Sequence, residues 1–130
     1  MIVADASAVI AALSRRDNVG ARARARLDEG SAWAPELIGL EVASGLRRLT
    51  VASRLHPVRA VLMLRDLVDL PLTLVPHRPL IARAWELRDN LSVYEGAYVA
   101  LAELIDATLV TNDRRLASAP GVRCPVEVLE

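Results

Sequence analysis

The sequence contains no lysine and no phenylalanine. Without lysine the chain cannot be a P-loop NTPase or a response-regulator receiver domain, because both need a lysine at the phosphate, and it cannot form a Schiff base. There is one cysteine, Cys124, so an internal disulfide is excluded. Cys124 also has no cysteine or histidine partner at the spacing of a zinc site, and we expect it only to pack.

The sequence also lacks a long hydrophobic run and an excess of charge of either sign. No apolar stretch reaches the roughly 18 residues that span a bilayer, and no basic segment precedes the apolar residues of the N-terminus. We therefore expect a cytoplasmic protein with no membrane segment. The 16 basic residues are all arginine and balance 16 acidic ones, which argues against strong non-specific binding to nucleic acid. A length of 130 residues fits a single domain, 1–130.

Short apolar runs alternate with helical segments along the chain. The runs predict strands at 2–4, 32–34, 72–75, 108–111 and 125–129, with the strand at 72–75 buried. The segments between them predict helices at 6–13, 18–27, 35–53, 80–89 and 114–117, and further helices starting at 57 and 92, with Pro35 and Pro57 as first helical residues. This alternation predicts an α/β fold with a short parallel sheet of four to five strands and helices on both faces.

Two aspartates are candidates for a functional site at the edge of this sheet. Asp5 ends the first strand, and Asp113 follows the strand at 108–111. In an open α/β sheet, ligands bind outside the carboxyl ends of the strands, where both residues should lie. Either aspartate could instead serve only as the N-cap of the helix that follows it.

Two glutamates on predicted helices are further candidates. Glu41 lies on the margin of an apolar helical stripe, and its alternative is a solvated residue or an ion pair with Arg48. Ser92 and Glu95 fit a capping box, which gives Glu95 a structural role that competes with a functional one. A helix N-terminus stabilises a nearby carboxylate, so capping and metal binding can share one position.

Four carboxylates in one pocket would raise one another's pKa and become protonated unless a cation neutralised them. Carboxylate oxygens favour Mg²⁺ or Mn²⁺ over zinc, and neither histidine lies at zinc-ligand spacing. Such an ion activates a water and neutralises charge on a phosphodiester, so the four acids suggest metal-dependent phosphodiester hydrolysis.

Four sequence blocks extend this interpretation. They are 3–8, then 35–37 with 41–42 and 46–48, then 92–102, and finally 109–116. In this order and at this spacing, the sequence from Ile2 to about Leu116 resembles PIN-domain proteins of the VapC toxin type. The resemblance implies a PIN-like α/β fold and a Mg²⁺- or Mn²⁺-dependent endoribonuclease that cleaves cellular RNA as the toxin of a toxin-antitoxin pair. It also implies a cognate VapB-type antitoxin and a homodimer.

The resemblance assigns roles to individual residues. The implied catalytic and metal-binding residues are Asp5, Glu41, Glu95 and Asp113. The residues expected to support them or to contact the substrate are Ser7, Thr111, Asn112, Arg114 and Arg115. Glu95 departs from the family, which usually has aspartate there, and the longer side chain could misplace a ligand of Mg²⁺. Arg114 and Arg115 are candidates for steering a phosphate, with a solvated helix start as the alternative.

Three aromatic residues could stack on bases or pack in the core, and two other functions compete with RNA cleavage. We expect Trp33, Tyr94 and Tyr98 to pack in the core rather than to stack on bases. A phosphohydrolase of the haloacid dehalogenase group would need a second aspartate where Ser7 stands, and a lysine that the chain lacks. A catalytically impaired PIN domain that binds protein or RNA is favoured only by Glu95.

Overall fold

The computed structural model describes residues 1–130. Its strands are β1 (Ile2–Ala4), β2 (Ala32–Pro35), β3 (Leu72–Val75), β4 (Thr108–Thr111) and β5 (Val126–Val128). Its helices are α1 (Ala6–Ser14), α2 (Asn18–Asp28), α3 (Ile38–Val51), α4 (Pro57–Asp69), α5 (Ile81–Glu86), α6 (Val93–Leu104) and α7 (Arg114–Ser118), with a 3-10 turn at Arg78–Leu80 before α5. All five predicted strands are therefore confirmed.

The strands form one parallel sheet in the order β3-β2-β1-β4-β5. The chain moves outward from β1 to β3, returns to β4 on the other side of β1, and continues to β5. Because crossovers between parallel strands are right-handed, this reversal places α1 to α4 on one face and α5 to α7 on the other. The contacts agree, since α1 packs on α2 and α3 whereas α5 packs on α6. The prediction of helices on both faces is confirmed.

The hydrophobic core is centred on β1 and β4. Val3 and Leu109 on these strands are fully buried, as are Val9 of α1 and Leu101 of α6, which cover the sheet from the two sides. The edge strand β3 differs, because Leu74 is 50% exposed there. The prediction that this strand is buried is wrong, since an apolar run reads the same whether its strand lies at the centre or at the edge of a sheet.

Pro35 and Pro57, which were predicted to be first helical residues, behave differently. Pro35 is the last residue of β2, where it pairs with Val75. The amide of Glu36 also donates to the Val75 carbonyl at 3.0 Å, so sheet pairing keeps the chain extended and α3 begins only at Ile38. Pro57 does begin α4, as predicted.

Helix ends also differ from the predictions by a few residues. The long helix α3 ends at Val51, two residues before the predicted end. In the segment predicted as one helix over 80–89, the short helix α5 follows a 3-10 turn that ends at Leu80, and residues 87–89 form a turn. No helix combines the length and the apolar character needed to cross a membrane.

Candidate active site

The candidate site lies where the direction of the chain reverses within the sheet. The strands β1 and β4 are neighbours, and the helices that follow them, α1 and α7, lie on opposite faces. Such a switch point leaves a crevice at the carboxyl ends of the strands. Asp5 caps the N-terminus of α1 and Asp113 caps that of α7, so both aspartates lie at this crevice.

A cleft of about 260 Å³ at this edge brings the four acidic residues together. Its polar lining consists of Asp5, Ser7, Glu41, Arg48, Glu95, Tyr98 and Asp113. The acids therefore come from four different segments, namely the end of β1, the first turn of α3, the first turn of α6 and the end of β4.

Asp5 is held by a network of hydroxyl groups. Its Oδ1 atom accepts hydrogen bonds from Ser7 Oγ at 2.6 Å and from the Ala8 amide at 2.9 Å, and its Oδ2 atom accepts one from Thr111 Oγ1 at 2.5 Å. The same two hydroxyl groups also accept hydrogen bonds from the backbone after β4. Ser7 Oγ accepts from the backbone amide of Asn112 at 2.8 Å, and Thr111 Oγ1 accepts from the backbone amide of Asp113 at 3.0 Å. Ser7 and Thr111 thus fix Asp5 and the end of β4 relative to each other.

The charge of Asp5 is disfavoured by its surroundings. Asp5 is only 7% exposed, and burial raises the pKa of its carboxyl, although the hydrogen bonds from Ser7, Thr111 and Ala8 lower it in part. The charge of Asp113 raises the Asp5 pKa further. A cation in the cleft would remove both penalties, because it favours the ionised carboxylate.

Glu41 is positioned by a buried tyrosine. The hydroxyl of Tyr98, a residue that is only 3% exposed, donates to Glu41 Oε1 at 2.7 Å. Burial raises the pKa of Tyr98, and the hydrogen bond to Glu41 raises it further, so the hydroxyl stays protonated and remains a donor. The second carboxylate oxygen of Glu41 has no hydrogen-bond partner within the protein and is free to bind a ligand.

Replacing Tyr98 should therefore impair Glu41 without removing it. We predict that Tyr98→Phe lowers catalytic activity and Mn²⁺ affinity by about tenfold, the effect of losing a group that orients a metal ligand. Tyr94→Phe is the matched control, because Tyr94 is 64% exposed on the same helix and makes no hydrogen bond to the site. Cleavage kinetics and an Mn²⁺ titration monitored by the shift in thermal unfolding temperature would test this. Equal activity and equal Mn²⁺ affinity of the two variants would contradict it.

Glu95 has the structural role that the sequence suggested. Its Oε1 atom accepts from the Ser92 amide at 3.0 Å, and its own amide donates to Ser92 Oγ at 3.1 Å, which completes the predicted capping box of α6. Its Oε2 atom accepts from Arg115 Nη2 at 3.1 Å. Glu95 lines the cleft and caps α6 at the same time. Its carboxylate therefore serves the capping box and any role in the cleft together.

Arg115 connects two of the acids. Its guanidinium donates to Asp113 Oδ2 at 2.7 Å as well as to Glu95, and the hydrogen bond between Arg115 and Asp113 lowers the pKa of Asp113. The side chain of Arg115 is 75% exposed, so solvent screens the pairing and little free energy holds the guanidinium in place. Arg114, the other predicted phosphate-steering residue, forms an ion pair with Glu130 and does not line the cleft.

The present side-chain positions bring the acids together without making a tight cage. No group of three or more acidic, histidine or cysteine side chains converges closely enough to hold one ion. Arg115 hydrogen-bonds to Asp113 and Glu95, and Asp5 accepts hydrogen bonds from Ser7 and Thr111. The donor set consists of carboxylate oxygens and suits a hard divalent cation.

Two polar residues of the cleft, Tyr98 and Arg48, were not predicted as site residues from the sequence. Tyr98 was assigned to the core; it is buried, but its hydroxyl reaches the site, and its position one turn after Glu95 was the available signal. Arg48 was considered only as an ion-pair partner of Glu41, whereas it lines the cleft and contacts Ser44 Oγ at 3.4 Å. The backbone amide of Asn112 donates to Ser7 Oγ, and the residue lines a neighbouring groove rather than the cleft.

Comparison with known proteins identifies the family. The model of the PIN domain family matches residues 2–122. The chain is 42% identical to Ribonuclease VapC9 of Mycobacterium tuberculosis over 129 residues, which cover 99% of this chain and 98% of that protein. It is 38% identical to Ribonuclease VapC1 of the same organism over 128 residues, covering 98% of this chain and 96% of that protein.

The fold is also found among solved structures. The DNA-bound VapBC from Salmonella typhimurium superposes with a TM-score of 0.70 at 16% identity, covering 99% of this chain and 98% of that chain. The chain therefore belongs to the PIN-domain family of VapC ribonucleases, as the four sequence blocks had indicated.

Proposed function

We propose that this protein is a Mg²⁺- or Mn²⁺-dependent endoribonuclease that acts as the toxin of a toxin-antitoxin pair. The observation that carries the proposal is the meeting of Asp5, Glu41, Glu95 and Asp113 in one cleft at the switch point of the sheet. The VapC ribonucleases to which the chain is 42% and 38% identical support the choice of RNA as substrate.

The four acids are the residues that would hold the metal. When bound, the ion would supply an activated water and neutralise charge on the phosphodiester. Asp5 is preorganised for this by Ser7 and Thr111, and Glu41 by Tyr98, so these two carboxylates need little rearrangement. Asp113 and Glu95 become available when the exposed guanidinium of Arg115 moves toward solvent, where it can meet a phosphate instead.

The proposed partners follow from the relatives and from the surface. A VapB-type antitoxin is supported by the VapBC complex that shares the fold. A homodimer is supported by the apolar surface of α5 and α6, where Ile81, Trp85 and Tyr94 are more than half exposed beside an apolar cavity of about 210 Å³. We place the protein in the cytoplasm, where an RNA-cleaving toxin meets its substrates.

A cleavage assay on a cellular RNA pool tests the function. We predict cutting in Mg²⁺ or Mn²⁺, none in EDTA, and about a hundredfold slower cutting by Asp113→Asn, which keeps an N-cap residue on α7 but loses the charge. Asp66→Asn, at an exposed aspartate of α4 outside the cleft, should cut like the wild type. Cutting in EDTA that Asp113→Asn leaves unchanged would contradict both the metal dependence and the site.

A further inference from the structure

A second groove adjoins the acidic cleft on the side of α1 and α3. It has a volume of about 430 Å³, and its floor is apolar, formed by residues such as Ile10 and Leu49. Its polar lining consists of Ser7, Arg15, Arg48, Arg54 and Asn112, and we call it the arginine groove. No acidic residue lines it, in contrast to the cleft beside it.

The arginine groove and the cleft are continuous. Ser7 and Arg48 line both of them. Gly45 also lines the groove, and a Cβ atom at this position would lie only 2.4 Å from Ile10 Cδ1. The missing side chain at Gly45 lets α1 approach α3 beside the groove. A polymer bound in the cleft can therefore extend into the groove without a break.

Two of the three arginines have no acidic partner. Arg15 is neutralised by Asp17, to which it donates through Nε at 3.0 Å. The side chain of Arg48 forms one hydrogen bond, to Ser44 Oγ at 3.4 Å, and Arg54 forms no side-chain hydrogen bond or ion pair within the protein. The position of Arg54 is fixed through its backbone, because Ser53 adopts a left-handed conformation with φ 58° and the Arg54 amide donates to the Leu49 carbonyl at 2.9 Å.

The charges of the groove complement what the cleft must bind. An RNA strand carries phosphate groups on both sides of the scissile bond, and the four carboxylates of the cleft repel these negative charges. The chain has no net charge, so attraction must come from local positive charge. The guanidinium group forms paired hydrogen bonds with phosphate, and an apolar floor accommodates the faces of sugars and bases.

We propose that the arginine groove binds the backbone phosphates of single-stranded RNA on one side of the scissile bond, with Arg48 on the phosphate nearer the cleft and Arg54 on one farther out. This proposal rests on the ribonuclease function and specifies how that function engages its substrate. The amide side chain of Asn112, which makes no hydrogen bond within the protein, is a third donor at the junction.

The test compares Arg48→Gln and Arg54→Gln with Arg123→Gln in the full-length protein. Arg123 is an exposed arginine that precedes β5, so it lies toward the amino ends of the strands, whereas the cleft lies at their carboxyl ends. Binding of a fluorescent single-stranded RNA oligonucleotide is measured by anisotropy in EDTA over a range of salt concentrations. Each groove variant should weaken binding about tenfold, the effect of one charge-assisted hydrogen bond. Each should also lower the slope of log K against log salt by about 0.7, the value for one phosphate of a single strand.

The kinetic readout separates this proposal from the ribonuclease function itself. In Mn²⁺ the groove variants should raise KM about tenfold, whereas Arg123→Gln should match the wild type in every measurement. If the wild type cleaves RNA and the groove variants bind and cleave as it does, the groove assignment is wrong although the enzyme stands. If the wild type neither binds nor cleaves RNA, both proposals fail. Loss of a protein partner with unchanged RNA binding would assign the groove to that partner and overturn the proposal.

Discussion

The variant Asp5→Asn should lose RNA cleavage by about 10²–10³-fold while keeping or increasing its thermal stability. Cleavage is lost because the amide can no longer supply a carboxylate to the cation. Stability is kept because burial raises the pKa of Asp5, which means that its charge is costlier in the folded chain than in the unfolded one. The Asn side chain also retains an oxygen for the Ala8 amide, which caps α1.

The sign of the pH dependence follows from the same pKa shift. An acid whose pKa is raised on folding binds its proton more tightly in the native state, so it destabilises the fold as pH rises through the folded pKa. The wild type should lose this increment of stability with rising pH and Asp5→Asn should not. Thermal unfolding of both proteins from acid to neutral pH, with and without Mn²⁺, would measure this difference in pH dependence. An Mn²⁺-induced stabilisation of equal size in both proteins would exclude Asp5 as a ligand.

The variants of Glu95 should separate its two roles. Glu95→Gln preserves the capping box, since glutamine accepts from the Ser92 amide as glutamate does, but it removes the charge. We predict about tenfold to a hundredfold slower cleavage with no change in the free energy of unfolding. Glu95→Ala should be as slow and should also lose about 1 kcal/mol of stability, because the Ser92 amide loses its acceptor. Cleavage kinetics and urea unfolding of the two variants give both quantities.

The variant Glu95→Asp addresses whether the natural residue impairs the enzyme. If the wild type cleaves RNA and Glu95→Gln cleaves as fast, Glu95 is a cap only. If the wild type is inactive and Glu95→Asp cuts RNA, the chain is a catalytically impaired PIN domain whose site is nevertheless correctly assigned. An active wild type that Glu95→Asp neither improves nor abolishes shows that the cleft accommodates either length of carboxylate.

The sequence predicted the features that depend on local chemistry. The five strands, the α/β class and the capping box of Glu95 each follow from a pattern within a few residues. The proximity of Asp5 and Asp113 was also predictable, because parallel strands end at the same edge whatever their order. The resemblance to PIN domains added Glu41, whose helical position alone does not reveal that it faces the cleft.

The features that the sequence did not reveal depend on pairing between distant segments. Pro35 looked like a helix start because its pairing with Val75 is non-local. The exposure of β3 follows from the strand order, which hydrophobic periodicity does not encode. The hydrogen bond from Tyr98 to Glu41 joins residues that are 57 positions apart, and a buried tyrosine reads as core until its partner is known.

The two aspartates of the cleft follow the central strand β1 and its neighbour β4, which are both interior strands of the sheet. The residues of β1 are all buried, whereas the edge strands β3 and β5 are half exposed and each pairs on one side only. Segments with few buried contacts open first in native-state fluctuations, and segments at the centre open only with the whole domain. Local opening of an edge strand therefore leaves β1 and β4 folded and keeps Asp5 and Asp113 in place. A protease or a partner that binds β3 can then act on a toxin whose two aspartates are still correctly positioned.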